Sequence, residues 1–532
     1  MGAAVIALMS CGTQEQRVIS SPLPQAALHE LMRGIYQADS RIIPPQGYAV
    51  RAAIVPHHLT ATETIASGIA MLMSEERKKI LLLSPDHFQR CPTLLCTAEG
   101  IFRTPLGDLE VDSASVALLR DSPFISTEEN LFREEHGIGA VLPYIAHYHP
   151  TAKIVPLVLS LEHEWFDARE DLVRLLSGLL DEDTVLLVSS DFSHYLSLEE
   201  AEEKDEETAK AIFAGDLPGI AALENPGQSD CPRCLWLLLR IAQEKNFSNP
   251  SVVLHTNSAS ILKEPDIPET TSHFAIVFYE NAHLRKTDLA FGGDVTLTRS
   301  KGEIPTLHPE MKAFWEGGGV RVVNLEGPLR ERCGSSSNEY IFCNSAEIWR
   351  TIRDVATHWG TLNNHMYDQG DAGYGESLRL LEEAEEEALS FEGYEDADLR
   401  IFPVTAVMNP VQDLFPQPLS RQYETVIGKL EDQTSEKLTV VFVHYGAEYR
   451  ALITEEDRAF LRSFIDAGAD AVIGAHSHVV SDMEIYKGKP IFHSLGNFLF
   501  DQGDRVSTST ALAVRLRREG DRVLFETLST RQ

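Results

Sequence analysis

Residues 51–58, Arg51-Ala52-Ala53-Ile54-Val55-Pro56-His57-His58, run from an apolar, strand-like stretch straight into two histidines. The pattern recurs. The apolar run at 80–83 leads into Ser84-Pro85-Asp86-His87, and that at 185–189 into Ser190-Asp191-Phe192-Ser193-His194. Further short apolar runs at 154–159, 252–254 and 274–278 alternate with helical patterns at 62–77 and 166–180. This alternation predicts an α/β layered domain, a class that collects its chemistry at strand ends. A single histidine there is ordinarily structural. Three strand ends closing on His or Asp make a candidate metal pocket, because imidazole, thiolate and carboxylate from separate strands form a borderline-soft donor set.

The chain of 532 residues is long enough for roughly three ordinary domains or two large ones. Its 43% hydrophobic content is that of a folded protein, since it leaves ample apolar surface to offset chain entropy. The net charge of -34 argues against nucleic acid as a partner, because phosphate backbones would repel it. No apolar run approaches the roughly 18 residues of a membrane-spanning helix. A short helix at 26–36 and a Pro-Pro-Gln-Gly turn at 44–47 precede the first strand, so residues 1–48 read as a leader and 49–281 as a first domain. A polar connector at 281–287 opens a second domain, 287–532, whose strands are expected at 289–292, 320–324, 438–444, 471–474, 491–494 and 511–516. Two acidic helices stand out, at 198–212 and 375–389. The second carries an apolar stripe of Leu378, Leu381, Ala384 and Ala388, and both Glu runs read as solvated faces.

The second domain repeats the strand-end logic with harder donors. Asp294 follows Phe291-Gly292-Gly293, Glu326 follows Val323-Asn324-Leu325, and Asn364 stands beside His365. His444 and Glu448 share Val443-His444-Tyr445-Gly446-Ala447-Glu448, and His476 and His478 share Gly474-Ala475-His476-Ser477-His478. Mixed oxygen and nitrogen donors suit a pair of divalent ions (Mn, Fe, Zn or Mg) that hold a phosphate together and activate a water. An extended 476–478 segment would point both histidines the same way, and Gly474 would let the backbone approach the ions closely.

The seven cysteines include Cys231-x-x-Cys234, with no second such pair to complete a zinc ribbon. Cys91/Cys96 and Cys333/Cys343 are disulfide candidates if the chain is exported. Leu8-Met9-Ser10-Cys11 resembles the lipobox of bacterial lipoproteins, although no basic residues precede it and the apolar leader is short. That resemblance implies an exported, membrane-anchored lipoprotein with a lipid anchor at Cys11; a cytoplasmic protein is the alternative.

Taken in order, the first-half motifs resemble the Memo family, including AmmeMemoRadiSam system protein B. They are PHH at Pro56, SPDHF at Ser84, TPLGDLEVD from Thr104, EEHGIGAVLPYI from Glu134, SSDFSHY from Ser189 and CPR at Cys231. The resemblance implies His57, His87 and Cys231 as metal ligands, with His136, Asp191 and His194 lining the pocket. It implies a fold related to the extradiol dioxygenases, and copper or iron ahead of zinc, though His/His/Cys permits all three. The sequence departs from the family at PHHLT and at Gly139, where a glutamate is expected.

The second-half pieces GGDVTL, NLEGPL, NNHMYDQG, VHYGAEY, DAGADAVIGAHSHV and SLGNFLFD resemble the CapA family, associated with poly-gamma-glutamate capsule synthesis. That family belongs to the calcineurin-like metallophosphoesterases, and the resemblance implies a sandwich of two mixed sheets flanked by helices. By it, Asp294, Glu326, Asn364, His444, His476 and His478 would be ligands or near them. His365 would be the acid/base, Glu448 a nearby carboxylate and Asn497 a loop anchor. Thr296 stands where ordinary phosphoesterases carry a histidine, which leaves one ion or two.

The expectation is a two-domain metalloprotein whose second half acts on a phosphoester or an anionic envelope polymer. The alternative is a non-catalytic copper- or iron-binding scaffold that holds such a polymer or a protein partner. An amide ligase lacks support, because the chain has no phosphate-binding G-x-x-x-x-G-K-[ST] loop.

Overall fold

The structure, a computed structural model, describes residues 17–20, 28–45, 47–74, 78–284, 287–297, 306–333, 340–408, 419–431, 436–500 and 508–531. Cys11 and the lipobox lie outside them. The protein is mixed α/β, as expected. In the first half one nine-stranded sheet dominates. Val50–Val55, Thr184–Ser189, Lys79–Pro85 and Lys153–Leu159 lie parallel and in that order at its centre. Their apolar residues are buried along nearly their whole length, which is why they read as continuous apolar runs and not as alternation. Thr270–Tyr279 extends the sheet antiparallel to Val50–Val55, with Asn249–Asn257 beside it.

The helix expected at 26–36 begins, among the described residues, at Leu28 and runs to Arg41. It buries Leu31, Gly34, Ile35 and Ala38 and packs against Thr62–Ala70. This stretch is part of the first core and not of a leader.

The second half is built on two larger sheets. One orders Glu387–Leu389, His358–Gly360, Gly318–Leu325, Thr287–Val295, Thr510–Glu519 and Arg522–Arg531, with Asn497–Leu499 also beside Thr287–Val295. The other orders Tyr394–Glu395, Leu399–Thr405, Leu438–His444, Ala471–Ala475, Lys489–Phe492 and Met483–Tyr486. Phe291 of the first meets Phe442 of the second with ring centroids 5.4 Å apart.

The acidic helices follow expectation unevenly. Leu198–Ala214 is fixed by a capping box of Ser197 and Glu200 and ends at Gly215 in the left-handed region. The second, however, spans Gly370–Glu383, and Glu387–Leu389 becomes a strand paired with His358–Gly360. Helix-forming Glu and Ala residues are overridden there by sheet pairing.

The two halves share one continuous apolar core. Tyr48 stacks on Phe525 at 5.6 Å and its hydroxyl donates to Val523 O at 2.7 Å. The connector is pinned as well, because buried Asn281 accepts from Asn249 Nδ2 at 2.8 Å and from Thr527 N–H at 2.9 Å. Glu206, on the first half's acidic helix, accepts the backbone N–H groups of Ala451 and Leu452. Those residues end the loop that leaves His444. Among the described residues no helix is long and apolar enough to cross a membrane.

Candidate metal centres

In the first half the parallel strands deliver His57, His87 and Asp191 from their C-terminal ends, as predicted. Each imidazole is oriented from behind. Ser189 Oγ donates its one proton to Gly137 O at 2.6 Å, so it accepts from His57 Nδ1–H at 3.0 Å. His87 Nδ1–H donates to Glu135 Oε1 at 2.6 Å. Metal-binding histidines are commonly held this way through the nitrogen that does not bind. Gly137 is required because a Cβ there would lie 2.1 Å from Ser84 Oγ and 3.0 Å from the His87 ring.

Both Nε2 atoms then face Asp230. Its Oδ2 lies 3.0 Å from His57 Nε2 and 3.5 Å from His87 Nε2, while Asp191 Oδ2 lies 3.4 Å from His57 Nε2. Donor atoms of His57, His87 and His136 lie within 4.8 Å of one another, as do those of His57, Asp191 and Asp230. Burial opposes protonation of His87, yet the Asp230 and Glu135 carboxylates beside it raise it to about 10. His136 goes the other way, pushed down to about 4 by burial and then by His87, whose ring centroid is 3.9 Å away. The site demands positive charge at its centre and leaves His136 neutral at its mouth.

Two first-half expectations are corrected. Cys231 is joined to Cys234 by a disulfide, so in this state its sulfur offers no thiolate; the neighbouring Asp230 carboxylate faces the imidazoles. The two cysteines lie one helical turn apart at the start of Pro232–Glu244, which is why C-x-x-C closes on itself. His194 Nδ1–H donates locally to Phe192 O at 2.6 Å, and the residue joins none of the donor groups. Its ring is adjacent to that of Tyr195.

The second site is deeper and brings together most of its predicted members. Asp294 and Glu326 are both 0% exposed. Asp294 accepts from Asn324 Nδ2–H at 2.8 Å and from His476 N–H at 3.1 Å, and its Oδ2 lies 3.4 Å from His478 Nδ1. His444 Nε2–H donates to Asn364 Oδ1 at 2.8 Å, and Asn497 Oδ1 lies 3.0 Å from His478 Nδ1. Two donor groups form, Glu326/His444/His476 and Asp294/Glu326/His478, and they share Glu326. Neither oxygen of Glu326 nor Nδ1 of His476 has a hydrogen-bond partner despite burial. Buried polar atoms are rarely left so, and these face one another across the space where a cation fits.

Electrostatics agrees with that fit. Burial raises Glu326 to about 7, with Asp294 adding to it against His478. Burial and the neighbouring His478 push His476 down to about 3, and burial drives His444 well below the usual range. Both imidazoles are therefore neutral near pH 7, the form that binds metals.

Beside the donors, His365 Nδ1–H donates to Asp368 Oδ2 at 2.8 Å, and the Phe342 ring stacks on His365 at 3.9 Å, 12° from parallel. Phe342 N–H also donates to Asp368 Oδ2, and Cys343, the next residue, is tied to Cys333. Sequence reasoning missed Asn324, Asp368 and Phe342. The first two lie inside NLEGPL and NNHMYDQG, so they were within reach.

Three second-half expectations change. The strand ends at Ala475, and His476 and His478 take positive φ of 96° and 60°, so the segment is not extended. The two histidines accordingly serve different donor groups. Gly474 serves a neighbouring strand and not ions, since a Cβ there would lie 2.0 Å from His493 O. Glu448 is exposed and in neither group, although its charge bears on His478 and Glu326.

Comparison with known proteins matches residues 24–262 to the Memo-like protein model and 394–502 to that of the bacterial capsule synthesis protein PGA_cap. A capsule biosynthesis protein CapA of Bacillus anthracis is 30% identical over 322 residues, 54% of this chain and 78% of that protein. A MEMO1 family protein of Sulfurisphaera tokodaii is 25% identical over 227 residues, 41% of this chain and 75% of its own. Another, from Saccharolobus solfataricus, is 30% identical over 192 residues, 34% of this chain and 68% of its own. With both motif series seated at strand ends, the chain belongs to the Memo-like family through its first half and to the CapA capsule-synthesis family through its second.

Proposed function

We propose that the second half is a metal-dependent hydrolase acting on a phosphoester or an anionic envelope polymer, and that the first half is a metal-binding domain packed against it. The observation that carries this is Glu326, a buried carboxylate with two unpartnered oxygens shared by two donor groups. Divalent ions held there would bind phosphate oxygens and activate a water for in-line attack. Asp294, Glu326, His444, His476 and His478 would hold them, with Asn364 close by. Burial works against charge on His365, but its Nδ1–H bond to Asp368 and the nearby Glu326 raise it, so the ring can carry a second proton on Nε2 and pass that one to the departing oxygen. Phe342 keeps the imidazole in that plane. The names of the CapA relatives speak of capsule biosynthesis, which supports an envelope polymer as substrate.

The test is hydrolysis of bis-(p-nitrophenyl) phosphate by the full chain with and without added Mn(II). Wild type is expected to show metal-dependent turnover, and His365→Ala to lower it by about 10²–10⁴-fold at unchanged metal content. No metal-dependent turnover of mono- or diesters by wild type would leave the binding scaffold as the better reading.

We also propose an exported lipoprotein anchored at Cys11. The three disulfides, Cys91–Cys96, Cys231–Cys234 and Cys333–Cys343, support an oxidising compartment. Of seven cysteines these occupy six, leaving Cys11 for lipid. Denatured under non-reducing conditions, the unlipidated chain is expected to react with a thiol reagent once, and at all seven cysteines after reduction. Several reactive thiols before reduction would speak for a reducing compartment and against export.

A further inference from the structure

Three atoms able to hold a cation, two imidazole nitrogens and one carboxylate oxygen, converge in the first site. The Ser189 hydroxyl spends its proton on Gly137 O, so the His57 Nδ1 must carry hydrogen, and a neutral His57 has a bare Nε2. The Glu135 carboxylate fixes His87 in the same tautomer. Asp230 Oδ2 lies 3.0 and 3.5 Å from these two Nε2 atoms, yet it has no aligned hydrogen bond and Asp230 is only 8% exposed. Close distances without alignment mean that the three atoms aim at a common point and not at one another. One proton there would satisfy a single pair, whereas a cation satisfies all three.

We infer that Asp230 is a metal ligand of the first site and completes, with His57 Nε2 and His87 Nε2, an all-nitrogen-and-oxygen set while Cys231 is held in its disulfide. This rests on the reading of the first half as metal-binding and goes beyond the His/His/Cys set that the Memo resemblance implies. The chemistry of the metal changes with the ligand. A thiolate would favour cuprous copper; two imidazoles and a carboxylate favour a divalent ion such as zinc or ferrous iron. His136, whose donor atom is within 4.8 Å of those of His57 and His87, is placed to supply a further nitrogen. Each carboxylate against His57 has its Oδ1 engaged, Asp230 by Ser190 Oγ–H at 2.7 Å and Asp191 by His273 Nδ1–H at 3.2 Å, and Asp230 is the one whose Oδ2 lies near both Nε2 atoms.

The test is titration of the disulfide-intact full chain with Co(II), followed by absorbance, and then displacement by Zn(II). Wild type is expected to show the ligand-field bands of a nitrogen–oxygen site without a thiolate charge-transfer band. Asp230→Asn should weaken binding at this site by at least about 10–100-fold, while Cys231→Ser/Cys234→Ser stays within about threefold of wild type. Far-UV circular dichroism and metal content at the second site, which Asp230 does not touch, report whether each variant is folded. A thiolate band in the disulfide-intact protein would overturn the inference. So would unchanged affinity in folded Asp230→Asn, which would mean that the three atoms share a proton. Loss of metal at the second site alone would count against the proposed hydrolase and leave Asp230 standing.

Discussion

Asp294→Asn is expected to empty the second site of metal while leaving the fold intact. The substitution keeps the shape of a side chain that is fully buried, so no cavity opens. What it removes is charge in the middle of the donor set. In the wild type His478, His444 and Asn324 outweigh burial and hold the Asp294 carboxylate down to about 2. It is thus ionised at any working pH and supplies formal charge to an incoming cation. In the variant, an amide nitrogen would also confront either His476 N–H or Asn324 Nδ2–H, both of which donate to Asp294 now. Affinity should fall by more than the roughly 10–100-fold typical of losing an outer partner of a ligand. The measurement is the thermal midpoint with and without Mn(II). Binding to the native state alone raises the wild-type midpoint by mass action, and the variant should lose the part of that rise that the second site supplies. An equal rise in both proteins would remove Asp294 from the donor set.

The strand ends that carry His57, His87, Asp294, Glu326 and His444 were legible because each follows a short, mainly apolar run, and parallel sheets bury such runs. The departures have specific causes. Cys231 was assigned by motif, but its fate was settled by Cys234 one turn along, and a lone C-x-x-C carries no sign of which partner it takes. Asp230 belongs to no recognised pattern and matters only because the chain folds it against two imidazoles. The left-handed backbone at His476 and His478 is invisible to residue type, since neither is the glycine that such a conformation favours. Glu448 sits in a matching motif yet points to solvent, so a motif fixes residue identity without fixing direction. Contacts between the halves were beyond reach altogether, as Val252 and Asp482 are 230 residues apart.

That last pair is the basis of the largest stability effect expected. Asp482 is buried at the junction, where it accepts the backbone N–H of Val252 at 3.0 Å and His493 Nδ1–H at 2.8 Å, and lies 3.6 Å from Arg458. Asp482→Ala would leave a buried imidazolium and guanidinium with Glu484 as their main counter-charge, and would orphan the Val252 amide of the first half. Breaking a buried network from one side costs about 3–5 kcal/mol. Because Asp482 ties the halves together, a single melting transition should split into two, with the second half unfolding first. The pH dependence has a definite sign. Burial works against the charge of Asp482 and Glu484, but His493 and Arg458 prevail and hold both below the usual carboxylate range, Glu484 at about 2. Their contribution is present above the unfolded carboxylate value of about 4 and is lost as pH falls toward 2. His493 is raised, with Asp482 prevailing over burial, so its contribution is present below the unfolded value of about 6.5 and lost as pH rises through the folded one. The wild-type midpoint should therefore peak between about pH 4.5 and 6.5, and Asp482→Ala should flatten both flanks of that peak. If the variant instead melts in one transition with an unaltered pH profile, this network does not hold the two halves together.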